Sequence, residues 1–204
     1  MELTFEQVRV LAALIEKEIT TPEYYPLTLK ALTAACNQKS NREPVVQFDD
    51  ALIQFTLTEL RDKGLIWRVG GPGTRVDKYE QRLTEKLSFD RHQTAIMCEL
   101  MLRGPQTMGE LKGHGSRMYP FSHNIQLETA QENLQLHAQG PLIAQLEKRP
   151  GQKEPRYTHL FCGMPEITDD PLPTIKSSPT KIAELEARIE ALEAAFERFR
   201  AQFE

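Results

Sequence analysis

Matching residues recur along this sequence at a nearly constant separation, which indicates two copies of one structural unit. The pairs are Leu29 with Met108 (79 positions apart), Leu65 with Leu142 (77) and Tyr79 with Tyr157 (78). This separation exceeds the period of solenoid repeats, so the pattern predicts two domains and not a stacked array. A length of 204 residues accommodates two small domains.

The first copy is predicted to fold as three helices followed by a β-hairpin. Thr4 and Gln7 form a capping box, after which apolar residues recur at helical spacing. Two further helices, at 27–36 and 49–63, and two strands, at 65–69 and 76–79, complete the copy. The glycine-rich sequence 70–73 suits the turn of a hairpin. This order of elements is typical of a winged helix.

The second copy repeats that order. Its predicted helices span 89–102, a segment that begins near Thr107, and 124–138, and its predicted strands span 142–148 and 156–161. We therefore expect a mainly α fold with small β-hairpins, built from two tandem winged-helix domains at residues 1–86 and 87–163.

The C-terminal part has a different pattern. Residues 164–180 are rich in proline and are predicted to form a linker. Residues 181–204 then carry a heptad seam, which predicts a coiled-coil helix. The seam consists of Ile182, Leu185, Ile189, Leu192, Phe196, Phe199 and Phe203. Isoleucine at a positions with leucine at d positions favours a parallel homodimer. The alternative is that the seam folds back onto the winged helices of its own chain.

Composition excludes several classes of protein. No apolar run approaches the ~20 residues that a membrane helix needs, and the first residues lack the pattern of a secretory signal, so we expect a cytoplasmic protein. The net charge is −4, and no segment has the basic excess typical of nucleic-acid binders. The three cysteines contain no CxxC pair, which argues against a zinc site.

Three long sequence segments closely resemble the bacterial YceH family. They are residues 14–18, 35–45 and 102–107, and further matches occur at 25–27, 109–111, 117–119, 154–157 and 159–161. The resemblance covers about residues 3–163. It implies a tandem winged-helix fold and implies no activity.

No residue pattern in the sequence indicates catalysis. HExxH and GxSxG motifs are absent, and the glycine cluster at 70–73 lacks the lysine and the following helix of a phosphate-binding loop. We therefore expect a protein that is not an enzyme and binds no cofactor or metal.

DNA binding is the usual expectation for winged helices, and the two predicted hairpins carry basic residues. These candidates for phosphate contact are Arg68, Arg75 and Lys78 in the first hairpin, Lys148, Arg149, Lys153 and Arg156 in the second, and Lys39 and Arg42 in the loop before the first third helix. Such residues neutralise phosphates and release counterions. Solvated charges on a hairpin are the equally ordinary alternative.

The third helices favour a different partner. The helix at 124–138 contains no lysine or arginine, and its Glu128 and Glu132 would repel phosphate. On the helix at 49–63, Phe48, Leu52 and Phe55 form a second apolar stripe about 135° from the core face. That stripe packs either on the other domain or on a partner protein. DNA binding leads by fold analogy, and the alternative function is a protein-interaction scaffold.

Overall fold

The computed structural model describes residues 1–70, 76–148 and 151–165. The first half contains α1 (Phe5–Thr20), a 3-10 turn (Pro22–Tyr24), β1 (Leu27–Thr28), α2 (Leu29–Cys36), α3 (Asp50–Asp62), β2 (Ile66–Val69) and β3 (Lys78–Gln81). The short helix α4 (Leu83–Lys86) follows β3, and the second half contains α5 (Arg91–Arg103), α6 (Met108–Gly115), α7 (Asn124–Gln135), β4 (Ile143–Gln145) and β5 (Tyr157–His159). The expectation of a mainly α fold with small hairpins is confirmed.

In both halves, the same kind of strand contact lies just before the second helix. Leu27 of β1 pairs with Tyr79 of β3, and Gln106 forms an isolated bridge with Tyr157 of β5. A threonine follows in each case and caps the next helix, because Thr28 accepts from the amide of Ala31 and Thr107 from that of Glu110. The predicted equivalence of Tyr79 and Tyr157 therefore corresponds to one shared contact.

Helices α1 and α5 form the centre of the described structure. All residues from Gln7 to Glu16 and from Gln93 to Leu102 are buried. A helix at the surface of a domain buries only one stripe, so these two helices are covered on every side. Small residues such as Ala12 allow a close approach, and the Cys98 thiol lies 3.5 Å from the carbonyl oxygen of Ala12.

Backbone hydrogen bonds also join the two halves. The amide of Leu3 donates to the carbonyl of Phe161 at 2.7 Å, and the amide of Glu43 donates to that of Leu102 at 2.9 Å. Residues 1–165 consequently form one compact unit. The two halves share a core although their elements repeat.

Some predicted boundaries differ from the structure. Helix α7 ends at Gln135 and not at residue 138, and the strands of the second hairpin are three residues long. The short elements β1 and α4 were not predicted, because two to four residues carry no periodicity that a sequence pattern can detect. Among the described residues, no helix has the length and apolarity required to traverse a lipid bilayer.

Several sequence predictions fall on residues outside those described. They are Arg75, Arg149, the linker from residue 166 onward, and the heptad helix with all seven of its seam residues. The domain boundaries and the homodimer stay predictions.

Candidate functional site

The third helices of the two halves, α3 and α7, are positioned alike. Both are anchored by four buried residues at the same spacing, and each residue in α3 precedes its equivalent in α7 by 74 positions. The buried sets are Ile53, Thr56, Leu57 and Leu60 in α3, and Leu127, Ala130, Gln131 and Leu134 in α7. The outward faces of the two helices can therefore be compared position by position.

The outward face of α7 is apolar at its ends and acidic in the middle. Ile125 is 62% exposed and Leu136, the C-cap residue, is 84% exposed. Between them, Glu128 and Glu132 are exposed one helical turn apart, and neither has an ion-pair or hydrogen-bond partner in the described part of the chain. No lysine or arginine occurs within α7. We call Ile125, Glu128, Glu132 and Leu136 the α7 face.

The outward face of α3 is neutral at the equivalent positions. Gln54 and Thr58 occupy the places of Glu128 and Glu132, and Phe55 beside them is 63% exposed. A large exposed aromatic side chain on a helix is costly to keep hydrated and is typical of a contact surface.

The predicted apolar stripe on α3 is divided in the structure. Phe48 precedes α3, so helical spacing does not determine its direction. Its ring packs edge-on against Phe5 with 6.3 Å between centroids, and its backbone exchanges two hydrogen bonds with the Asn37 side chain. Leu52 is half-buried, which leaves Phe55 as the exposed member.

Three of the arginines that were predicted to contact phosphate are paired with carboxylates. Arg68 lies 2.8 Å from Asp77, and Arg156 lies 3.0 Å from Glu110. The Arg42 side chain has no exposed surface and is paired with Glu16, so in this conformation it does not reach a phosphate. Lys39, Lys78, Lys148 and Lys153 are exposed.

Arg42 belongs to a buried charge network between the two halves. Glu16 of α1 accepts from Arg42 at 3.1 Å and from Arg117 of the second half at 2.6 Å. Arg117 also lies 2.9 Å from Glu99 of α5, which in turn lies 3.1 Å from Arg103. Both carboxylates are buried, at 1% and 0% side-chain exposure.

The protonation of Glu16 is set by this network. Burial alone would raise the pKa of its carboxyl, but the hydrogen bond and charge of Arg42, together with Arg117, outweigh burial and lower the pKa. Glu16 is therefore ionised at neutral pH, as the two guanidinium groups require. Sequence reasoning missed this network. The only signal in the sequence was a glutamate directly after the apolar residues of the first helix.

The outer face of the first hairpin carries a half-exposed aromatic residue. Trp67 of β2 is 55% exposed, and the Arg82 guanidinium lies 3.9 Å from the centroid of its ring. This cation–π contact holds one face of the indole against the protein.

The nucleophilic and metal-binding side chains are dispersed. Burial raises the pKa of the Cys36 thiol to about 12, and that of Cys98 is also raised by burial, so both stay protonated at neutral pH. Burial lowers the pKa of His159 to about 4, which leaves the imidazole uncharged. Within residues 1–70, 76–148 and 151–165, no group of three histidine, cysteine or acidic side chains is placed to hold a metal ion.

Comparison with known proteins places these residues in a family. Residues 3–152 match the family model described as a protein of unknown function, DUF480. A UPF0502 protein of Solibacter usitatus is 45% identical over 100% of this chain and 98% of its own length. A UPF0502 protein of Hahella chejuensis is 44% identical over 94% of this chain and 91% of its own. The UPF0502 protein YceH of Escherichia fergusonii is 42% identical, with 94% of this chain and 90% of the relative covered.

Proposed function

The chain belongs to the DUF480 family, and we propose that it is a non-catalytic docking protein whose two halves are winged-helix modules that bind other proteins through their third helices. The repeated order of three helices and a hairpin, with the same strand contact before the second of those helices, supports the winged-helix assignment.

The exposed faces of α3 and α7 carry the proposal. In DNA-binding winged helices these faces enter the major groove and are polar and surrounded by cations. Here they expose Phe55, Ile125 and Leu136, and α7 adds two carboxylates and no cation. Exposed apolar residues within a polar rim are the usual composition of protein interfaces.

The buried charge network supports a role as a rigid docking platform. Glu16 and Glu99 tie Arg42 of the first half and Arg117 of the second into one cluster, so α3 and α7 are held in a fixed orientation. A preorganised surface loses less entropy when it binds a partner.

A second candidate function is DNA binding by the first half alone. One observation favours it: Arg61 and Arg68 line a cavity of about 80 Å³ between α3 and the first hairpin, together with Gln54 and Thr58. A backbone phosphate bound there would lie where a winged helix approaches DNA. Asp77, which is paired with Arg68, offsets part of that positive charge.

Immobilised full-length protein in a nuclease-treated bacterial lysate separates the two functions. We expect it to retain specific proteins, and we expect F55S or the double variant I125S/L136S to reduce the retained amount about tenfold or more, because buried apolar anchors dominate interface energies. The matched control is Y24S, which removes an aromatic residue that is 70% exposed but lies outside both third helices.

The docking proposal fails if no protein is retained after nuclease treatment. It also fails if a 30-base-pair duplex (on the order of three helical turns) binds at low salt and R61A/R68A abolishes that binding, since that result supports the DNA function.

The heptad seam leads to a separate prediction about assembly. Light scattering on the full chain and on residues 1–165 should show a dimer that becomes a monomer on truncation, because the apolar a and d positions lie beyond residue 180. If both proteins are monomers, or if both are dimers, the heptad segment is not the dimer contact.

A further inference from the structure

We propose that the α7 face binds a cationic amphipathic helix of a partner protein. The inference rests on the proposed docking function and adds the chemistry of the partner. It is carried by the arrangement of exposed charge and apolar surface on α7, and α3 provides the internal comparison.

Charge complementarity identifies the sign of the partner. Glu128 and Glu132 are exposed and lack any ion-pair partner among the described residues, so their charges are available to a ligand. Within the described residues, a cation contacts this helix at its first residue, where the Lys112 ammonium donates to the Asn124 side chain at 2.6 Å. The middle of the face therefore has an uncompensated negative charge, which attracts lysine and arginine side chains.

The apolar residues identify the second requirement. Ile125 and Leu136 lie at the two ends of the same stripe, and both are more than half exposed. A partner segment that carries only basic and other polar residues would leave the side chains of Ile125 and Leu136 in water. A partner that also carries apolar residues on either side of its basic pair covers them and gains the free energy of that burial.

The spacing of the α7 face matches that of a helical partner. The 11 positions from Ile125 to Leu136 span roughly 16 Å at 1.5 Å per residue, and the two carboxylates lie about 6 Å apart along the axis. A partner helix with two apolar residues 11 positions apart and two basic residues four positions apart between them has the same spacings.

The α3 helix would not accept the same partner. Gln54 and Thr58 stand at the positions equivalent to Glu128 and Glu132, so α3 offers no charge to the basic pair. The two halves share one scaffold and present different surfaces, which allows them to select different partners.

The test uses a synthetic helical peptide of about 18 residues, with lysines four positions apart flanked by leucines, and a second peptide in which glutamate replaces each lysine. Fluorescence anisotropy with the full-length protein should show binding of the lysine peptide and none of the glutamate peptide. Backbone amide shifts in NMR spectra should map the contact to α7. The variant E128K/E132K is expected to weaken binding of the lysine peptide about tenfold or more, because reversal converts two attractions into repulsions.

The control for a change in net charge is the variant E147K/E154K, which reverses the charge of two exposed glutamates outside α7. This variant should leave the affinity within about twofold, since neither glutamate belongs to the α7 face and exposed charges are partly screened by salt. The inference is wrong if both variants lose affinity for the lysine peptide equally, or if the peptide shifts only backbone amides outside α7. Preferential shifting of α7 amides by duplex DNA would overturn it as well.

The outcomes also separate this inference from the docking function. If proteins retained from lysate depend on Ile125 and Leu136 but not on Glu128 and Glu132, docking stands and the cationic partner is wrong. If neither pair affects the retained proteins, α7 is not a docking helix at all.

Discussion

Residues 1–86 produced without the rest of the chain are expected to show no cooperative unfolding transition, whereas residues 1–165 unfold in one step. The reason lies in α1, where every residue from Gln7 to Glu16 is buried. Removing α5 would expose one whole side of that helix, including Ala12, and would leave Glu16 without Arg117. Circular dichroism during urea or thermal unfolding measures the outcome.

The matched control for this experiment is the fragment 1–165, which removes only the C-terminal segment and keeps both central helices. It should retain a single sigmoidal transition. A fragment 1–86 with its own sigmoidal transition would show that the halves are independent domains and that the shared core contributes little.

Replacement of Glu16 by glutamine is expected to lower the free energy of unfolding by about 3–5 kcal/mol, the cost of leaving a buried charge without its partner. Glutamine keeps the shape of the side chain but removes the negative charge that faces Arg42 and Arg117. Denaturant unfolding of the full chain provides the measurement. E23Q is the control, because Glu23 is exposed and should change stability by less than about 0.5 kcal/mol.

The difference between wild type and E16Q should depend on pH. The pKa of Glu16 in the folded protein lies below its ordinary value of 4.5, so its ionised form stabilises the fold at pH values above 4.5. That stabilisation is lost as the pH falls through the lowered folded pKa. The two stabilities should therefore differ most at neutral pH and converge in acid. A gap that stays constant into acid would show that Glu16 acts through packing and not through charge.

Local chemistry made much of the fold predictable. Helix α3 was expected at 49–63 and spans Asp50–Asp62, because the capping aspartate Asp49 and the glycine at position 64 mark its ends in the sequence. The second hairpin was expected to be longer than it is. Strand length depends on where a partner strand pairs, and β5 pairs over only three residues.

The site was less predictable than the fold. Arg42 lies in a polar loop and was expected at the surface, yet it is buried because Glu16 lies opposite, 26 positions earlier in the chain. Pairs so distant in sequence have no local signature. The acidic middle of the α7 face, in contrast, was visible from Glu128, Glu132 and the missing cations, because an exposed helical stripe follows directly from 3.6-residue spacing.

Trp67 has a consequence for spectroscopy. It is the only tryptophan in the sequence, so the tryptophan fluorescence of the chain originates at the first hairpin. Its indole is already half in water and covered on one face by Arg82, so complete unfolding changes its surroundings little and its emission is a poor measure of folding. The same emission is well placed to detect a macromolecule that covers β2, since dehydration of the free half of the ring would shift the spectrum to shorter wavelength.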